Sequence, residues 1–192
     1  MVLNQTTLKN EIACLETELM ERQKRLRDLR RQLPPQEVPD YVLKGPSGKK
    51  VKLSEMFDDK DDLIVIHTMG SSCSYCTMWA DGFNGVLQHL ESRAEFVVVS
   101  PDSPERQATF AQKRGWRFQM YSSEGSKFTE DMGFKNEDGW LPGVSTFYRK
   151  TNGGIARISK ADLGPGDPFC AVWHLFDLLA EGPNNWEPAL KY

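Results

Sequence analysis

A four-residue apolar run, Leu63-Ile64-Val65-Ile66, leads through a Gly70-Ser71-Ser72 turn into Cys73-Ser74-Tyr75-Cys76. The residues that follow repeat with helical spacing. This stretch constrains the fold more than any other part of the chain. A buried strand that delivers a CxxC pair to the first turn of a helix is the arrangement dithiol redox chemistry needs. The first thiol then sits where unpaired amides and the helix dipole favour a thiolate. The second lies three residues on, on the same helix face and within reach to close a disulfide. Cys73 is therefore expected to be the exposed, acidic nucleophile. Cys76 continues the apolar stripe of its helix and is expected to be the buried, resolving thiol. Two alternatives stay open at this point: a zinc-binding domain that uses the pair, and a non-enzymatic interaction module in which the pair is idle.

Length and charge narrow the class. A chain of 192 residues fits one domain of ordinary size plus an extension. A hydrophobic content of 39% suffices for a packed core, and the net charge of -3 argues against a non-specific nucleic-acid binder, which needs a basic face. No apolar run approaches the roughly 18–20 residues that span a bilayer. The start, Met1-Val2-Leu3-Asn4-Gln5-Thr6, lacks the apolar centre of a signal peptide. A cytoplasmic protein without membrane attachment is expected. The four cysteines, Cys14, Cys73, Cys76 and Cys170, are too few for a disulfide scaffold.

Periodicity divides the chain at residues 1–35, 36–183 and 184–192. Residues 6–33 read as one long helix, with Leu8, Ile12, Leu15, Leu19, Leu26, Leu29 and Leu33 on a heptad seam that Arg22 interrupts. Its Leu stripe either packs on the domain's own surface or forms a homodimer contact. Pro34-Pro35 stops it. A hairpin is expected around Gly45-Pro46-Ser47-Gly48, and buried strands at residues 63–68 and 95–100. A helix is expected over 73–92, and Ser103-Pro104 starts another that runs to Arg114. A short strand at 118–121 and a short helix at 126–132 follow. Strands at 144–149 and 155–159 flank an Asn152-Gly153 turn, and a helix at 169–180 precedes a loop tail.

A parallel βαβ unit followed by an antiparallel hairpin and a closing helix is the thioredoxin-like plan: an α/β sandwich with a central mixed sheet flanked by helices. The lead-in Gly48-Lys49-Lys50-Val51-Lys52-Leu53-Ser54-Glu55-Met56-Phe57 resembles that of the AhpC/TSA-like, or peroxiredoxin, branch. Further along come His67, the run from Cys73 to Gly82, His89-Leu90, Val97-Val98-Val99-Ser100, Arg114-Gly115-Trp116-Arg117-Phe118 and Ser122-Ser123. In that order they resemble a bacterial domain-of-unknown-function family of inferred dithiol–disulfide oxidoreductases. The resemblance covers roughly residues 40–180. It implies a thioredoxin-like fold and thiol–disulfide exchange.

The same comparison bears on single residues. Thioredoxin carries a buried acid six residues before its first Cys, and an ungapped count puts His67 there, as a base for Cys76. Tyr75, between the thiols, is expected to meet substrate. Trp79 shares the apolar stripe and is expected in the core or as a substrate platform. Asp81 is expected to pair locally or to tune the groove. Thioredoxins also place a cis-proline opposite the CxxC. Pro142 is the nearest candidate, though an ordinary loop proline reads better there; counting back from the Asn152-Gly153 turn puts Val144 or Ser145 at that place instead. Cys170 and His174 share a face of the last helix and could complete a Cys₃His zinc set with Cys73 and Cys76. The apolar stripe of that helix accounts for Cys170 more simply. Peroxiredoxins need Pro-x-x-x-Thr/Ser-x-x-Cys. Gly70 and Ile66 stand at those places before Cys73, and Cys73 and Met69 before Cys76, so neither thiol fits. The expectation is thus an oxidoreductase acting on a protein or small-molecule disulfide or thiol, with no cofactor and no metal, and with a homodimer contact open to the N-terminal helix.

Overall fold

The computed structural model describes residues 4–192. The chain separates into two compact units, one ending at Pro35 and the other spanning Gln36–Tyr192. The first unit is a single helix, α1 (Gln5–Gln32). Asn4 caps it, its Oδ1 accepting the Thr7 amide at 2.9 Å. Leu33, in extended conformation ahead of the proline pair, closes it.

The second unit is built on one eight-stranded mixed sheet. In chain order its elements begin with β1 (Gln36–Val38), β2 (Val42–Lys44), β3 (Lys50–Lys52) and a 3₁₀ turn at Leu53–Phe57. Then come β4 (Asp62–His67), α2 (Ser74–Gly85), α3 (Leu87–Glu91), β5 (Glu95–Ser100), α4 (Pro104–Arg114), β6 (Gln119–Ser122) and α5 (Phe128–Asp131). The two-residue strands β7 (Lys135–Asn136) and β8 (Gly139–Trp140) pair with each other, and β9 (Gly143–Arg149), β10 (Ile155–Asp162) and α6 (Ala171–Phe176) complete the unit. The order across the large sheet is β1-β10-β9-β4-β5-β6-β2-β3. β4, β5 and β6 run parallel, and β9 lies antiparallel to β4, with Ile66 opposite Val144 and His67 opposite Gly143.

The pleat of β4 and β5 distributes two cores. Leu63, Val65, Val97 and Val99 point to one face, where the 3₁₀ turn and Phe128, Met132 and Phe134 cover them. Ile66, Phe96 and Val98 point to the other, beneath Cys76, Trp79, Leu87 and Trp173. Burial on both faces explains why the two central strands are near-continuous apolar runs. This is the expected thioredoxin-like sandwich with its N-terminal helix and lead-in hairpin.

Several expected elements differ. The helix over 73–92 is broken: Val86 leaves the helical region after Gly85, giving α2 and α3. The last helix is confined to Ala171–Phe176, and Leu178 and Leu179 are exposed. The tail does not simply trail away. Trp186 packs edge-on against Phe176, with ring centroids 4.9 Å apart, and Arg114 donates to the Leu190 carbonyl at 3.1 Å. β1, whose polar sequence carries no alternation, pairs with β10 through its backbone.

Candidate active site

β4 delivers the chain to a tight approach, Thr68 to Ser72, and Cys73 caps α2. Gly70 sits at φ +102°, a conformation that favours glycine, and a Cβ there would meet the Asp102 carboxylate at 3.1 Å. That carboxylate accepts the Ser71 amide at 2.6 Å. Arg106, on α4, donates to the Ser71 hydroxyl at 2.7 Å and pairs with Asp102 at 3.3 Å. The loop after β5 thereby holds the turn that presents Cys73. Ser103 and Pro104 mark the start of α4 in sequence, but nothing local signals that Asp102 reaches across to Gly70 and Ser71.

The Cys73 side chain does the work an N-cap oxygen usually does: its Sγ accepts the Cys76 amide at 3.0 Å. The Cys73 thiol is lowered to a pKa of about 7. The hydrogen bond from the Cys76 side chain is the largest cause; partial burial opposes it, and the amides of Cys76 and Tyr75 assist. Cys76 moves the other way. Its bond to Cys73, then burial, then repulsion from a Cys73 thiolate push its pKa well above the ordinary thiol range. Cys76 is only 3% exposed, whereas Cys73 is half-buried. The Met69 amide points at Cys76 Sγ from 3.4 Å. Behind Cys76 lies a cavity of about 10 Å³ whose lining includes Thr68, Thr77, Ser100 and Gln107.

The other candidates separate. Tyr75 is half-buried beside the thiols and stacks on Trp173, with centroids 6.1 Å apart. Val144 packs on the cluster that contains Cys76, one strand over from Ile66. Pro142 is half-buried, its carbonyl accepts the Leu163 amide at 3.2 Å, and no peptide bond among the described residues is cis. Trp79 is buried, and its indole N–H donates to Asp167 at 2.8 Å, which makes it a core anchor and not an open platform. Asp81 accepts from Arg114 and from the Trp116 indole at 2.7 Å, tying α2 to the end of α4.

His67 requires a correction. It has the pleat parity of Leu63 and Val65, so it enters the core on the opposite face of the sheet from Cys76. There it stacks on Phe134 at 4.3 Å and shares a 3.1 Å hydrogen bond with Ser145 Oγ, while Nδ1 has no partner. Burial, reinforced by the Arg157 charge, pushes its pKa down to about 3. A six-residue count along the chain cannot see which face the pleat assigns, and the base role for Cys76 has no geometric support. Nor does Cys170 join the pair. It is buried against the same core, and no group of three His, Cys, Asp or Glu side chains among the described residues could hold a metal ion. Among the described residues, no helix is long and apolar enough to cross a membrane.

The chain is similar to proteins named peroxiredoxin. Peroxiredoxin Q, chloroplastic, from Sedum lineare is 29% identical over 129 residues, which is 66% of this chain and 68% of that protein. Peroxiredoxin Bcp from Escherichia coli (strain K12) is 28% identical over 141 residues, 73% of this chain and 82% of its own. Among solved structures, peroxiredoxin Q of Xanthomonas campestris superposes with a TM-score of 0.56 at 18% identity, over 66% of this chain and 85% of that one. Peroxidoxin BcpB from Mycobacterium tuberculosis does so with a TM-score of 0.54 at 22% identity, over 67% and 84%. The match to a family model spans residues 5–191. The chain is therefore of the thioredoxin-like superfamily, in its AhpC/TSA-type branch, and belongs to the family described as bacterial protein of unknown function (DUF899).

Proposed function

We propose that the protein is a thiol–disulfide oxidoreductase in which Cys73 is the nucleophile and Cys76 the resolving thiol. The observation that carries this reading is the asymmetry of the pair: an acidic, half-buried thiol at a helix start and a buried, protonated thiol one turn on. The Cys73 thiolate attacks a substrate disulfide, forming a mixed disulfide and releasing one substrate thiolate. Cys76 then gives up its proton and attacks the Cys73 sulfur, releasing the second substrate sulfur as a thiolate and leaving a Cys73–Cys76 disulfide. Two electrons and the Cys76 proton pass to the substrate, the second substrate thiolate takes its proton from water, and an external dithiol restores the pair. The substrate thiolate that departs first is the acceptor for the Cys76 proton, since His67 lies on the far face. The Met69 amide is placed to steady the charge that develops on Cys76. Tyr75 and Val144 flank the approach to Cys73 in this reading. The test is reduction of a protein disulfide by the reduced chain. Activity is expected for the wild type and lost in Cys73→Ser, and Cys76→Ser is expected to accumulate a mixed disulfide on Cys73. An inert dithiol in the wild type would overturn the reading.

A second reading has its own support in the relatives named peroxiredoxin. Cys73 would attack a hydroperoxide, leaving an alcohol or water and a sulfenic acid, which Cys76 would condense to the same disulfide with loss of water. Gly70 and Ile66, where peroxiredoxins carry the Thr/Ser and Pro of their motif, weigh against fast peroxide reduction. Stopped-flow mixing separates the two. A reduced pair that oxidises faster with a protein disulfide than with hydrogen peroxide or an organic hydroperoxide is the expected result, and the reverse order would make it a peroxidase.

A further inference from the structure

No residue of α1 is buried, and its six apolar seam positions from Leu8 to Leu29, with Leu33 at its C-cap, are each 44–59% exposed. The spacing is a strict heptad alternation. Ile12, Leu19, Leu26 and Leu33 stand at a, and Leu8, Leu15 and Leu29 at d, with Arg22 at the remaining d. Four heptads are enough to sustain a two-stranded coil. An apolar seam of this length needs a partner. We infer that its occupant is α1 of a second copy of this chain, packed antiparallel.

Charge decides both the identity of the partner and its direction. In the half over residues 5–19, Lys9 stands against Glu11, Glu16 and Glu18. In the half over 20–33, Arg22, Lys24, Arg25, Arg27, Arg30 and Arg31 stand against Glu21 and Asp28. A parallel pair sets like halves side by side. Across its seam Glu11 meets the partner's Glu16, and Arg25 meets the partner's Arg30, each contact occurring twice. An antiparallel pair lays the acidic half on the basic half. With Leu8 level with the partner's Leu33, every a position faces a d position: Ile12 on Leu29, Leu26 on Leu15, and Leu19 on Arg22. Glu18 then faces Arg25 on both sides of the dyad. Lys9 beside Arg30 is the one unfavourable flanking pair, at the ends of the coil. The helix dipoles also oppose, which favours this direction.

Arg22 is part of the device. It enters the central layers with a counter-charge from its own helix, Glu18, at 3.8 Å. A charged group inside a seam weakens the coil; the register is fixed by Glu18 and the partner's facing Arg25, which a slip of either helix would separate. The contact is isologous and closes at two copies.

Sedimentation equilibrium of the reduced full-length chain tests this. The expected mass is about 44 kDa, twice the 21.9 kDa of one chain. Glu18→Lys and Arg25→Glu are each expected to weaken the dimer about ten-fold, and the double variant to return within roughly three-fold of wild type, since the pair is then only exchanged. In a parallel coil Arg25→Glu would instead tighten association by relieving the contact with Arg30. Leu26→Lys should give a monomer. The alkylation rate of Cys73 should stay unchanged in all four variants, which separates lost association from lost folding. A monomeric wild type, tighter association in Arg25→Glu, or no restoration in the double variant would overturn the inference.

Discussion

At Cys73, one hydrogen-bond donor on the neighbouring thiol and two on backbone amides outweigh the cost of partial burial, and the thiol settles near neutrality. That balance has a direct readout. Alkylation of Cys73 is expected to rise with pH about a midpoint near 7 and to level off above it, followed by mass spectrometry on Cys73. Because the Cys76 side chain is the largest contributor, Cys76→Ala should move the midpoint upward, whereas a field set mainly by the helix end would leave it in place. His67 makes the opposite statement. Its folded pKa is lowered to about 3, so between roughly pH 6.5 and 3 the unfolded chain binds a proton that the fold does not. Stability from this group is full above about pH 6.5 and declines as pH falls, by about 1.4 kcal/mol per pH unit. In His67→Gln, urea melts from pH 7 to 4 should show a slope shallower by about that amount, and an unchanged slope would mean that His67 does not titrate with unfolding. The residue types of the thiol pair were legible in sequence because helix position alone separates them. The place of His67 was not, because parity along a strand acquires a face only when the covering helices are known.

One scale up, the elements work through contacts between segments distant in sequence. The Gly70-Ser71-Ser72 turn is held by Asp102, which is mostly buried, and Arg106 ties both to α4. Asp102→Ala removes the acceptor for the Ser71 amide. It is expected to cost about 1 kcal/mol of stability and to slow Cys73 alkylation at pH 7 several-fold, read from paired melts and rates. If the stability loss appeared with no change in rate, the turn would be structural only. β9 carries a second such contact. Phe134 fills the space over Gly143, where an added Cβ would lie 1.9 Å from its ring, opposite His67. Gly143→Ala should therefore destabilise the second unit by about 1–3 kcal/mol by denaturant melt. Strong local signals found the central elements: the apolar runs of β4 and β5, and the Ser103-Pro104 start of α4, whose Ser103 does accept the Arg106 amide. Weak signals missed others. Gly82 and Gly85 foreshadow the break before α3, yet the apolar stripe continues through Val86 and hides it. β1 has only three residues and contributes mainly backbone pairing at the sheet edge, so no side-chain pattern marks it.

At the scale of the molecule, both hydrophobic cores are drawn entirely from residues of the second unit, beginning at Val38. Every contact that shapes the thiol pair, from Met69 to Arg106, lies there as well. The first unit offers a seam and charges. The proposed chemistry and the proposed association therefore draw on different stretches of sequence. Unfolding of the second unit should be cooperative without the first, since β1 keeps its pairing with β10 and no core side chain is removed. A chain beginning at Gln36 is expected to melt in one transition, to keep the Cys73 midpoint near 7, and to sediment as a monomer where the full chain does not. Its melting temperature should no longer depend on protein concentration, because no association remains to be lost on unfolding. Loss of the near-neutral midpoint in the shortened chain would overturn this separation. Retained dimerisation would place the interface on the second unit and not on the Leu seam.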